Sequence, residues 1–221
     1  MLKKLEKLSV MLLYAIVLPL TMIVYPHKVI WEDKKASVEI MKKPCVVYSN
    51  HTGYSDGLFM QMFLTRYKLY TFIGKDWYEK KGLNYLFRNL FYIPIDRTQM
   101  DTSWIDKGRK VVEEGHGIYF FPEGHTSKDG EMLEFQPGFL MLAKTQKLPM
   151  VPICIDRKIE PFKPFRLIIG KPQNLDLSEP GRPSQVLKKY AGYCKDSVIE
   201  LKKNYGNPKF VTNDVRNFVD K

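Results

Sequence analysis

A histidine and an aspartate stand five positions apart in Asn50-His51-Thr52-Gly53-Tyr54-Ser55-Asp56, between the apolar runs CVVYS and GLFMQMFL. On one continuous helix that spacing turns the two side chains apart. A loop that leaves a strand and turns into a helix folds the carboxylate back onto the imidazole, with Gly53 permitting the sharp turn. Asp56 then fixes which ring nitrogen carries the proton, and the other nitrogen is open to take one from a substrate. The competing reading is local: Asp56 or Ser55 caps the following helix and His51 is an ordinary loop residue. No GxSxG nucleophile motif occurs, so a His–Asp pair here suits direct attack by a substrate hydroxyl.

Two further stretches carry charge at the expected ends of strands. IPIDR closes on Asp96-Arg97, and FPEGHTSKDG places Glu123 between Pro122 and Gly124. Taken singly, the first reads as a surface ion pair and the second as an exposed turn. Together, Arg97 and Lys128 supply cations for a phosphate, while Gly124 lets the backbone approach a ligand closely. His125 could add a donor or be an exposed turn residue.

These residues need a scaffold of strand ends. Short apolar runs predict strands at 44–49, 69–74, 91–95, 117–121, 150–155 and 165–170. Between them, helical spacing marks the stretch from Asp56, the segment 101–115, a helix opening at Pro137, and a last helix from Ser184 to about Tyr205. The stretch DWYEKKGLNYLFRNL reads as helical or irregular, and Glu32–Lys43 as a connector or an exposed hairpin. Strands alternating with helices imply an α/β sheet covered on both faces, with ligands at strand ends.

The 221 residues are 44% hydrophobic and carry a formal net charge of +11. That is enough apolar matter for one sizeable core and excludes a disordered chain. The charge is either a solvated basic surface or a sign of an anionic partner. Scattered lysines without an aromatic–basic signature argue against nucleic acid. The three cysteines, Cys45, Cys154 and Cys194, lack metal-ligand spacing and read as small buried hydrophobes. No metal site is expected.

Leu8 to Tyr25 contains no charged residue, with Lys3, Lys4 and Lys7 before it and His27, Lys28, Lys34 and Lys35 after it. As a helix it is ~27 Å long, against a hydrocarbon core of roughly 30 Å, and Pro19 would kink it. It reads as a retained membrane anchor, spanning or lying in one leaflet, with a buried core helix as the alternative. Residues 1–35 are thus assigned to an N-terminal anchor segment and 36–221 to the catalytic domain. His27 reads as interfacial and His116 as a helix-end loop residue.

In order along the chain, NHTGYSD, IPIDR, FPEG and VPICI resemble the four sequence blocks of the glycerophospholipid acyltransferases, the group that includes 1-acylglycerol-3-phosphate acyltransferase. GKDWYEKKG, with Lys75, resembles the segment that often precedes the second block. The resemblance covers roughly Pro44 to Pro172. It implies a glycerol-3-phosphate acyltransferase-like α/β fold with a mixed, mostly parallel sheet. It further implies His51 as general base, Asp56 as its orienting partner, and Arg97, Glu123, Gly124, Lys128 and Lys75 on the acceptor side. Pro152 is implied to serve the acyl donor or the shape of the site. The implied reaction is acyl transfer from acyl-CoA or acyl carrier protein to a lysophospholipid hydroxyl. It needs no cofactor and takes place at the cytoplasmic side of a membrane, the inner one in a bacterium. One departure stands out: Thr126 occupies the place of the arginine that commonly follows FPEG-Thr. That leaves open another lysolipid or an amino lipid as acceptor; the rival reaction, using His51, Asp56 and Glu123, is that of a lipid or thioester hydrolase.

Overall fold

The computed structural model describes residues 15–17, 19–82, 84–96, 103–126 and 131–210. Seven strands form one sheet: β1 (His27–Trp31), β2 (Val46–Ser49), β3 (Tyr70–Gly74), β4 (Tyr92–Ile95), β5 (Ile118–Phe120), β6 (Met150–Ile155) and β7 (Phe165–Ile169). Their spatial order is β1-β7-β6-β2-β5-β3-β4. Every neighbouring pair is parallel except β6 with β7. β7 and β1 therefore run against the other five, and both begin where those five end. After β1 come α1 (Lys34–Met41), α2 (Ser55–Leu64), α3 (Lys75–Tyr78), α4 (Asn84–Asn89), α5 (Ser103–Glu113), α6 (Leu140–Gln146) and α7 (Pro183–Tyr205).

Period-two alternation divides the strand side chains between two cores. Val46, Tyr48, Ile118, Phe120, Met150 and Cys154 face one side with Leu140 and Leu142 of α6 and Leu187, Cys194, Val198 and Leu201 of α7. Val47, Tyr119, Val151, Ile153 and Ile155 face the other side with Phe59, Met60 and Phe63 of α2. Each fully buried large side chain contributes about 1.5–3 kcal/mol. The central strands are covered on both faces, which is why they read as unbroken apolar runs. Cys45, Cys154 and Cys194 are all buried; burial alone pushes the Cys45 thiol up to about 12.

Three elements differ from the sequence reading. Glu32–Lys43 is neither an exposed hairpin nor a connector: α1 fills it, capped by the Asp33 carboxylate, which accepts from the Ala36 amide at 3.0 Å. Only Ser37 and Met41 of α1 are buried, too few to mark a helix in the sequence. Residues 27–31, grouped above with the N-terminal segment, pair with β7 in the sheet. His27 is not interfacial but packed among rings, with Phe59 at 5.0 Å and Phe165 at 5.7 Å. The helix expected to open at Pro137 begins with a tight 3-10 turn, Pro137–Phe139, before α6.

Of the apolar run from Leu8, residues 8–14 and 18 lie outside the described residues. Residues 15–17 and 19–24 are helical. Met22 and Tyr25 pack on the α2-side core, and Tyr25 meets Phe59 edge-on. No helix among the described residues is long and apolar enough to cross a membrane.

Candidate active site

The site grows from the carboxyl end of β2. Asn50 fixes that end: its side chain donates to the Ile155 carbonyl at 2.9 Å and accepts from the Ile155 amide at 2.8 Å. β2 and β6 are thereby tied together where both stop. His51, Thr52 and Gly53 then leave the sheet, and α2 begins at Ser55.

Neither capping reading holds. Tyr54 is the N-cap and makes no side-chain capping bond, and the Ser55 hydroxyl donates instead to the Ile159 carbonyl at 2.8 Å. The Asp56 carboxylate points back into the loop. It accepts from His51 Nδ1 at 3.0 Å, from the Gly53 amide at 2.8 Å and from the Thr52 amide. The Thr52 hydroxyl donates to it as well, at 3.0 Å. Asp56 is fully buried, while the His51 side chain remains 18% exposed. A carboxylate only accepts, so Nδ1 is the ring nitrogen that carries hydrogen. The lone pair of a neutral imidazole is then on Nε2.

Two residues after β5 complete the setting of His51. The Phe121 ring stacks on the imidazole, centroids 4.2 Å apart and planes 22° apart. Glu123, 2% exposed, accepts from the His51 amide at 2.6 Å through Oε1 and from the Leu133 amide at 2.8 Å through Oε2. Burial pushes the Glu123 carboxyl above its ordinary range, and the two amides pull it partly back. It is not the exposed turn residue of the local sequence reading. Gly124 follows with φ +73°, a conformation that side-chain-bearing residues rarely adopt.

The remaining predicted residues scatter. Lys75 opens α3 directly after β3, exposed at the same end of the sheet as His51. Arg97 and Lys128 lie outside the described residues. Pro152 is buried within β6, opposite Tyr48 of β2, and a Cβ at Gly170 would come 2.7 Å from its Cγ. It lies within the sheet, on the face that carries Tyr48. A cleft of about 440 Å³ lined by Pro152, Gln173, Tyr193 and Ser197 opens on the α7 side. It contains none of the His51 loop, and the hydrogen-bond geometry, not that cleft, marks the site. The sequence reading missed Asn50, Thr52 and Phe121; a polar residue directly after a buried strand was the available signal for Asn50.

The model of the Acyltransferase family matches residues 28–156, from β1 to the end of β6. A 1-acyl-sn-glycerol-3-phosphate acyltransferase of Limnanthes douglasii is 32% identical over 122 residues, 53% of this chain and 42% of that protein. The enzyme of that name from Bacillus subtilis is 25% identical over 132 residues, 58% of this chain and 65% of that protein. The chain thus spans under two thirds of the length of these relatives. The crystal structure of the 1-acyl-sn-glycerophosphate acyltransferase PlsC from Thermotoga maritima superposes with a TM-score of 0.57 at 19% identity, covering 82% of this chain and 75% of that one. It shares the fold: a mixed, mostly parallel sheet flanked by helices. With the family model covering more than half of its length, the chain belongs to the Acyltransferase family.

Proposed function

We propose that the protein transfers an acyl group from a thioester to the free hydroxyl of a lysophospholipid, converting 1-acylglycerol-3-phosphate to phosphatidic acid. The observation that carries this reading is the His51 Nδ1–Asp56 bond, which commits Nδ1 as donor and leaves the lone pair on Nε2 of a partly exposed imidazole. Nε2 takes the acceptor hydroxyl proton as that oxygen attacks the thioester carbonyl. The tetrahedral intermediate collapses to the ester and expels the thiolate, which recovers the proton from the imidazolium. Asp56 holds the tautomer and stabilises the charged ring. Glu123 positions His51 through its backbone amide. Lys75, with Arg97 and Lys128, provides cations for the acceptor phosphate. The relatives named for this reaction support the acceptor.

The donor is acyl-CoA or an acylated carrier protein, both anionic and suited to a chain of net charge +11. The apolar N-terminal segment holds the enzyme at the cytoplasmic face of a membrane, where its substrates reside. Removing residues 1–14 spares β1 and tests that anchoring by sedimentation with membranes.

One observation favours a second acceptor. Thr126 stands where the arginine is expected, and lysine, as a point charge, does not replace a bidentate fork. A different lysolipid or an amino lipid then takes the acyl group. Incubating the protein with both donors and a panel of lysolipids, products identified by mass, tests both readings. Phosphatidic acid as the main product supports the first. Thiol release that ignores every acceptor marks a hydrolase and rejects both.

A further inference from the structure

The imidazole of His51 is held at its edge and covered on one face. Asp56 binds the edge, through Nδ1, at 3.0 Å. Phe121 lies over the face, centroids 4.2 Å apart and planes 22° apart.

Phe121 is itself backed by fixed groups. Its ring meets that of Tyr119 edge-to-face, with centroids 4.9 Å apart and planes at 73°. Tyr119 is fully buried, and its hydroxyl lies 2.5 Å from that of Ser49. Ser49 gives its own hydrogen to the Asn50 carbonyl at 2.9 Å, so Tyr119 is the donor of the shorter bond. The end of β2, one residue before His51, thus braces the ring that covers His51. Two residues beyond Phe121, the Glu123 carboxylate ties the same segment to the His51 amide at 2.6 Å.

Between two neutral rings this contact is van der Waals packing with a modest gain. Its character changes when the imidazole takes up a proton. A positive charge then lies against the negative face of the benzene ring, inside the roughly 6 Å over which that attraction is felt. The His51 side chain is only 18% exposed, so water screens the pair incompletely. Asp56 acts on the same charge from the ring edge, and the two contributions do not compete for one position. A contact that strengthens as charge develops lowers the barrier without tightening the binding of substrate.

We propose that Phe121 is a positioning residue whose π face stabilises the His51 imidazolium formed during acyl transfer. The inference rests on the reading of His51 as general base. The competing account is that Phe121 only fills space beside the α2-side core, against which it packs. In that case any ring of the same volume serves equally well.

The test replaces Phe121 in the full chain with phenylalanines carrying one, two or three fluorine atoms, which keep the shape and progressively drain the negative face. Turnover is expected to fall stepwise, by about twofold to thirtyfold at the trifluoro ring, with KM for donor and acceptor and the unfolding temperature unchanged. Cyclohexylalanine, which keeps the bulk without a π face, is expected to fall at least as far. A second readout needs no substrate: the charged fraction of the His51 ring at one fixed acidic pH, from its ring-nitrogen NMR signals assigned by their loss in His51→Ala, is expected to fall along the same series. A constant charged fraction overturns the proposal whatever the kinetics. A flat kcat across the series with His51→Ala inactive also overturns it and leaves the base in place. Losses of kcat matched by losses of thermal stability assign the ring to packing and overturn it too. Turnover retained in His51→Ala rejects the base reading and the proposal with it. If no form acylates any acceptor, a falling charged fraction upholds the contact and rejects the reaction.

Discussion

His51 receives its orientation from two carboxylates at once: Asp56 binds its ring at 3.0 Å, and Glu123 binds its backbone amide at 2.6 Å. The two act on different bonds of one residue. Asp56 sets the tautomer and limits rotation of the ring, while Glu123 fixes where the main chain leaves β2. This separation makes their removal distinguishable.

Replacing His51 by alanine removes the proposed base. Turnover is expected to fall by about 10²–10⁴, with thermal unfolding close to wild type because the side chain is partly exposed. Initial rates with matched melting curves check this. Near-normal turnover excludes His51 as the base.

Asp56→Asn is expected to be costly in two ways. An amide in place of the carboxylate presents N–H to a site that already holds two backbone donors and an imidazole donor. Stability is expected to drop by about 1–3 kcal/mol, read from denaturant unfolding. Turnover falls with KM for the acceptor little changed, since the loss concerns the transition state.

Glu123 gives a pH signature. Burial raises its folded-state value above that of the unfolded chain, so folding favours its protonated form. Its contribution to stability is complete below the ordinary glutamate range and is lost as pH rises through the raised value. Glu123→Gln removes this slope. Unfolding of wild type and variant across mildly acidic pH checks it, and parallel curves reject the assignment. A kcat loss without a KM change is the kinetic counterpart of a positioning role.

Arg97→Ala is expected to raise the acceptor KM with kcat largely kept, because a phosphate contact is mostly uniform binding. Lys75→Ala is expected to act in the same direction more weakly, a lysine giving a point charge without a fork. An unchanged KM for phosphorylated acceptors makes both residues structural.

Much of the sheet was legible because its strands are buried on both faces and bounded by turns. MVPICI coincides with β6, and the helical spacing of Leu187, Tyr190, Cys194, Val198 and Leu201 falls on α7, where all but the half-buried Tyr190 are buried. The pairing of His51 with Asp56 was legible as one of two readings, since the spacing fits a strand–loop–helix junction as well as a cap. What settled it was the direction of the carboxylate, which depends on the amides of Thr52 and Gly53. The partners of Glu123 lie 72 and 10 residues away, a long-range and a medium-range contact that no periodicity encodes. β1 and α1 were missed for a different reason. HKVIW adjoins a longer apolar run and loses its boundaries, and α1 offers only two buried residues.

The single antiparallel pair, β6 with β7, has a geometric result for the whole molecule. Had β7 continued in the direction of β6, a crossover would have carried the chain to the far edge, and β1 beside it would have entered from there. Reversal instead returns the hairpin 156–164 and the incoming N-terminal residues to the edge that bears the imidazole. For the lipid acceptor proposed above, a greasy tail and its reactive headgroup can then arrive from one direction, and neither has to travel around the slab of strands to meet.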